Sequence, residues 1–233
     1  MKIIQEKLFN KINLKKNLEL ITIDGITCSG KSIFADLLKN FFKKKNVYIL
    51  SKDLFLFSRK KRIQIDKKIK KQSYFNQNEL HYDLKKLNKL MQFLFLQSKK
   101  KSLTLTKLYD RKTGKNNKKM KFKLLRNTLI IFEGLYVLDD IKKIVKPKYK
   151  ILLIDKVYLS LARKIERIRD KKISIQHVIS DFTRIHLKSF NKYLIKQNFN
   201  CSFIGVDKNF VLIQQGKKRQ VNLINQFFKK HLF

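Results

Sequence analysis

Glycine, proline and cysteine are all scarce, with six Gly, one Pro and two Cys in 233 residues. So little Gly and Pro excludes a collagen-like chain or a Pro-rich linker. The two cysteines, Cys28 and Cys201, are too few and too far apart for a disulfide framework or a zinc cluster. No apolar run reaches the roughly 18 residues of a membrane-spanning helix. Near the N-terminus, Glu6 and Lys7 interrupt the apolar stretch, which argues against a secretory signal. Acidic residues are also few: 17 Asp+Glu stand against 56 Lys+Arg, a net charge of +39. The expectation is a soluble, cytoplasmic globular protein without membrane association.

What is present supports a core. Apolar residues make up 43% and aromatics 12%, which argues against disorder despite the charge. The length suits one large domain or two small ones. The basic excess has two readings. It is the electrostatic footprint expected of a nucleic-acid or anion binder. The lysines, however, are scattered over nearly every segment together with abundant Asn, Ile and Phe, a pattern that an A- and T-rich genome also produces. Compositional drift is the preferred reading. Weak, salt-sensitive, non-specific nucleic-acid binding follows from such a charge either way.

Along the chain, short apolar runs alternate with helical periodicity. Strands are predicted at 18–24, 47–51, 128–132, 149–154 and 201–206, and a further one at 103–108. Helices are predicted at 2–16, 31–45, 79–98, 157–170, 174–198 and 218–231. Residues 58–72 form the most charged stretch, a mobile segment or an exposed helix, and 110–122 is a basic loop or hairpin. Buried strands alternating with amphipathic helices indicate an α/β fold, with a mostly parallel sheet covered by helices on both faces.

Gly25-Ile26-Thr27-Cys28-Ser29-Gly30-Lys31-Ser32 is a complete G-x-x-x-x-G-K-[ST] between a predicted strand and a predicted helix. About 0.003 such matches are expected by chance in a chain of this composition. Gly25 and Gly30 permit backbone dihedrals that other residues resist, so that N–H groups turn toward phosphate oxygens. The helix N-terminus adds its positive dipole end. Lys31 would reach the β- and γ-phosphates, and Ser32 would ligate Mg²⁺. Cys28 is read as a small residue tolerated in the loop.

Ligands of open α/β sheets gather outside the carboxyl ends of the strands, and Asp24, Asp53, Glu133 and Asp155 lie at such ends. Phosphoryl transfer needs Mg²⁺, positive charge on the phosphates and a group to orient and deprotonate the acceptor. Asp53, after the second strand, is the candidate base. Glu133 fits the carboxylate that supports the metal. Asp24 and Asp155 are read as structural. On the 157–170 helix, Arg163, Arg167 and Arg169 carry the charge of a phosphate lid, although spacing puts only Arg163 and Arg167 on one face. His81, His177, His186 and His231 show no metal-ligand spacing, and His177 with Asp181 reads as a surface pair.

This order of motifs resembles the uridine kinase/phosphoribulokinase family of P-loop kinases. The match comprises ITIDGITCSGKS, Ser51-Lys52-Asp53-Leu54-Phe55 for the family's S-x-D-x-F, Tyr109-Asp110 for its Y-D, LIIFEGLYVL for its strand-E-G, and LARKIERIRD for its Arg-rich lid helix. The resemblance implies a P-loop NTPase-type three-layer fold with a small lid, one kinase domain over 1–233. Its core would lie at about 18–206, with a helical lid at about 157–172 and a basic loop at about 110–123. It also implies Mg²⁺ and ATP or GTP as phosphoryl donor, a small-molecule acceptor, typically the 5′-hydroxyl of uridine or cytidine, and self-association in some members. Carried over residue by residue, Lys31 and Ser32 hold phosphates and Mg²⁺, Asp53 is the base, Glu133 supports the metal, and Arg163, Arg167 and Arg169 belong to the lid.

The departures concern the acceptor. Leu56 stands where the family usually has Tyr. Tyr74-Phe75-Asn76-Gln77-Asn78 replaces N-F-D-H-P, and Gly114 stands where uridine kinases carry a base-contacting His. Asn76, His81, Tyr82 and Tyr109 remain as candidate acceptor contacts. The acceptor therefore stays open between a nucleoside and another alcohol such as a sugar, a riboside or a pantothenate-like compound. A nucleic-acid-binding P-loop NTPase is the rival from another class, with 58–72 and 110–123 as its contacts.

Overall fold

The computed structural model describes residues 18–68, 80–96, 102–125, 127–141, 144–168, 174–197, 199, 201–206 and 209–215. The helices expected at 2–16 and 218–231 lie outside these residues, as do Asn76 and Arg169.

Six strands form the main sheet: β1 (Leu18–Gly25), β2 (Asn46–Ser51), β5 (Thr128–Gly134), β6 (Tyr149–Ile154), β7 (Cys201–Val206) and β8 (Asn209–Gln215). They are ordered β2-β5-β1-β6-β7-β8. All neighbours are parallel except β7 and β8. The fold is α/β. β8 was not among the expected strands, and it joins antiparallel at the edge.

The central strands are continuous apolar runs because both of their faces are covered. Alternate residues of β5 show this: Leu129 and Ile131 pack with Phe34, Ala35 and Leu38 of α1 (Lys31–Phe41), whereas Ile130 and Phe132 face Leu87, Leu90 and Leu94 of α3 (Leu84–Phe95). A third cluster joins Leu152 and Ile154 of β6 to Phe190, Tyr193 and Leu194 of α7 (Lys188–Lys196).

β3 (Ser102–Tyr109) and β4 (Asn116–Lys123) form a separate antiparallel hairpin. Leu105, Leu108 and Phe122 sink its inner face into the α3 cluster. The basic stretch at 110–122 is thus the turn and second strand of a hairpin. Asp110 closes that turn by accepting from Lys112 N at 2.9 Å and Thr113 Oγ1 at 3.1 Å. Residues 59–68 form the exposed helix α2 (Arg59–Lys68), which buries no side chain.

After β5 comes the short α4 (Val137–Ile141), and α5 (Val157–Ile168) follows β6. The single helix expected over 174–198 is α6 (Ile175–Ser180) and α7 separated by a π-helical segment, Asp181–Leu187. Among the described residues, no helix is long and apolar enough to cross a membrane.

Candidate active site

The register of the sheet brings three loops together. Asp24 of β1 lies opposite Gly134 of β5, and Ser51 of β2 lies opposite Glu133. The residues that follow β1, β2 and β5 therefore emerge side by side at the carboxyl edge, where ligands of such sheets bind.

Between β1 and α1, residues Gly25–Gly30 turn tightly. Gly30 takes φ +88 as the N-cap of α1, and the other left-handed residue in the loop is Cys28, at φ 64. Gly25 is required for a different reason from the one expected. Its φ is not positive, but a Cβ there would lie 2.6 Å from Leu153 O and 2.7 Å from Ser29 Oγ. Lys31 folds back over the loop and donates to Gly25 O at 2.8 Å and Ile26 O at 2.7 Å. Burial pushes its ammonium below the ordinary lysine range, and the Glu133, Asp53 and Asp24 carboxylates oppose that shift.

Ser32 Oγ donates to Glu133 Oε1 at 3.3 Å. A hydroxyl and a carboxylate are hard oxygen donors of the kind Mg²⁺ takes, with its remaining positions left to water and phosphate. Among the described residues there is no cluster of three His, Cys, Asp or Glu side chains that could hold a metal by protein ligands alone. This donor set fits a nucleotide-bound Mg²⁺.

Asp53 sits in the 3₁₀ turn Lys52–Phe55 directly after β2. Tyr82 Oη donates to its Oδ1 at 3.3 Å, and Arg111, from the β3–β4 turn, hydrogen-bonds Oδ2. Arg111 is 67% exposed, so the pair lies at the mouth of the site. Tyr109 is buried, and its hydroxyl accepts from Arg62 of α2 at 2.9 Å. His81 pairs with Asp66 of α2 at 2.6 Å. Of the candidate acceptor residues, Tyr82 therefore reaches Asp53, whereas His81 and Tyr109 anchor α2. Arg111, Arg62 and Lys52 were not among the sequence candidates, although two of them adjoin motif residues: Arg111 follows Tyr109-Asp110, and Lys52 lies between Ser51 and Asp53.

Arg163 of α5 donates to Cys28 O at 3.2 Å and pairs with Asp155. Asp155 also accepts from Lys156 N at 2.9 Å and Ser160 Oγ at 3.1 Å, so it organises the start of α5. Arg167 lies one turn further along the same helix and is exposed. Asp24 accepts from Val137 N at 3.0 Å. Burial raises its carboxyl to about 7, against the lowering effect of hydrogen bonds from Tyr193 and Val137 N and of the nearby Lys52. His177 and Asp181 form a surface pair at 3.3 Å.

A sequence profile of the Phosphoribulokinase / Uridine kinase family matches residues 20–206, from β1 through β7. The chain belongs to this family. Membership makes it a small-molecule kinase, an ATP-using phosphotransferase. Solved structures agree on the fold. A possible uridine kinase from Bacillus stearothermophilus aligns with TM-score 0.58 and 18% identity, over 84% of this chain and 94% of that one. D-glycerate 3-kinase from Cryptococcus neoformans aligns with TM-score 0.55 and 10% identity, over 93% of this chain and 96% of that one. No curated protein sequence matches the chain.

Proposed function

We propose that this kinase transfers the γ-phosphoryl group of Mg·ATP to a hydroxyl of a small molecule, with Asp53 as general base. The observation that carries the reading is the convergence of Lys31, Ser32, Glu133 and Asp53 at adjacent strand ends, with Ser32 and Glu133 in hydrogen-bond contact. The loop N–H groups and Lys31 hold the phosphates, and Lys31 would exchange its two loop carbonyls for phosphate oxygens. Ser32 and Glu133 would hold Mg²⁺. When bound, the metal neutralises charge on the β- and γ-phosphates. Asp53 accepts the proton of the acceptor hydroxyl as that oxygen attacks phosphorus. Arg163, which donates to Cys28 O of the loop, acts as a lid residue, and the family resemblance assigns Arg167 and Arg169 to the same lid.

The family resemblance favours the 5′-hydroxyl of uridine or cytidine as acceptor. A second reading is favoured by Arg111. A guanidinium beside the base suits an alcohol that carries a carboxylate or phosphate, and it would move from Asp53 to that anion on binding. The two readings separate in an ADP-release assay with neutral nucleosides and with anionic alcohols, using wild type and R111Q. If the acceptor is anionic, R111Q raises its KM by about 10- to 100-fold, the value of a charge-assisted hydrogen bond. If it is a nucleoside, uridine or cytidine turns over and R111Q leaves its KM within about threefold. Failure of every acceptor would contradict the kinase reading.

A further inference from the structure

We propose that Lys52 and Asp140 form a buried positioning pair that fixes Asp53 and Glu133 relative to one another. The inference rests on the kinase reading above. The two side chains expose only 3% and 5% of their surface, with Lys52 Nζ 2.7 Å from Asp140 Oδ2. The same ammonium donates to Leu135 O at 2.9 Å and lies 4.7 Å from the centroid of the Tyr82 ring. Removing two charges from water is costly, and a well-packed apolar pair would serve the fold as well. The location of the pair supplies the reason to keep it.

Lys52 and the carbonyl it holds are both close chain neighbours of residues of the site. Lys52 itself precedes Asp53, and Leu135, whose carbonyl it holds, follows Glu133 by two residues. The Lys52 stem packs so closely on β5 that a Cβ at Gly134 would lie 2.6 Å from Lys52 Cβ and 2.9 Å from Val137 Cγ1. Asp24, which precedes Gly25, feels the charges of both Lys52 and Asp140 and binds Val137 N at the start of the helix that carries Asp140. The Tyr82 ring covers the ammonium while its hydroxyl touches Asp53. One buried cation thus ties together the ends of β2 and β5. It reaches the base along the backbone through the Lys52–Asp53 peptide and through Tyr82. Lys52 touches no reacting atom, so its role is positioning.

The test compares wild type with K52M, K52M/D140N and Y82F, using Mg·ATP and the acceptor that wild type turns over. Rates are normalised to the folded fraction from thermal unfolding. K52M alone strands the Asp140 charge and destabilises the protein, whereas the double variant removes both charges. The double variant is expected to keep its KM for ATP within about threefold while kcat falls about 100-fold, the cost of displacing a reactive group by about 1 Å. Y82F keeps the ring over Lys52 and loses only the hydroxyl, so its kcat falls about 10-fold, again with little change in KM for ATP. A purely structural pair would lower the unfolding midpoint and leave kcat per folded molecule at the wild-type value. That result in the double variant overturns the proposal. Should the double variant not fold, D140N, which keeps an oxygen for Lys52 Nζ and removes only the counter-charge, decides by the same kcat criterion. Absence of turnover by wild type with any acceptor is a separate failure, of the kinase reading itself.

Discussion

Asp24 is buried at the end of β1, and its carboxyl is raised to about 7, first by burial, from an ordinary value of 3.8. The folded protein therefore holds a proton that the unfolded chain releases between those two values. Stability contributed by this group is present in full below pH 3.8 and is lost as pH rises through about 7. Asp24→Asn keeps an oxygen for Val137 N and removes the ionisation. The difference in urea midpoint between the variant and wild type should grow in favour of the variant from pH 4 to pH 7.5. A constant difference across that range would contradict the raised value. Residue types at the loop were legible in the sequence, because the G-x-x-x-x-G-K-[ST] spacing between a strand and a helix marks a tight turn of this kind. The backbone reason for each glycine was not. Gly25 answers to Leu153 O, which is 128 positions away in the chain and adjacent only through the β1–β6 pairing. Lys52 and Arg111 were missed for the same reason, since a scattered lysine or arginine in so basic a chain gives no signal until the fold supplies its carboxylate.

At the scale of elements, α3 illustrates how local chemistry and packing cooperate. Leu87, Leu90, Met91 and Leu94 bury one face, and Asp83 caps the N-terminus by accepting from Lys86 N at 3.0 Å. Asp83→Ala should lower the unfolding free energy by about 1 kcal/mol without changing the KM for ATP, measured by chemical denaturation and steady-state kinetics. The buried strands were readable as continuous apolar runs, and β6 and β7 match their predicted limits. The single helix expected from 79 is interrupted at 81–83: Leu80 is helical, but Tyr82 pairs with Leu56 in an isolated bridge that ties the chain beside Asp53. β8 carried a usable signal in Phe210–Ile213, an apolar run that begins four positions after the end of β7, as in a hairpin. The π-helical segment at Asp181–Leu187 left no mark on the apolar period, since a wider turn changes no residue type. The surroundings of Asp53 were the least legible part, because they bring together the β3–β4 turn and the segment before α3.

For the whole molecule, the +39 charge and the proposed catalytic edge make separable predictions. Binding to a single-stranded oligonucleotide should be sequence-independent and should weaken by about 10³-fold or more between 50 and 200 mM salt. If the charge is compositional, replacing Lys118, Lys119 and Lys121 of β4 with Gln changes the salt slope no more than the same replacement at exposed lysines elsewhere. A selective effect at β4 would instead assign that strand to a polynucleotide surface. Neither result bears on phosphoryl transfer.

The central claim is that Asp53 is the base of a small-molecule kinase, and the most direct measurement compares wild type with Asp53→Asn. ADP release is followed with saturating Mg·ATP and the acceptor that wild type uses, and ATP binding is measured alongside it. The account predicts a loss in kcat of about 10²- to 10⁴-fold, as expected for removal of a general base, with ATP affinity within about threefold of wild type. Wild-type kcat in folded Asp53→Asn protein would contradict it.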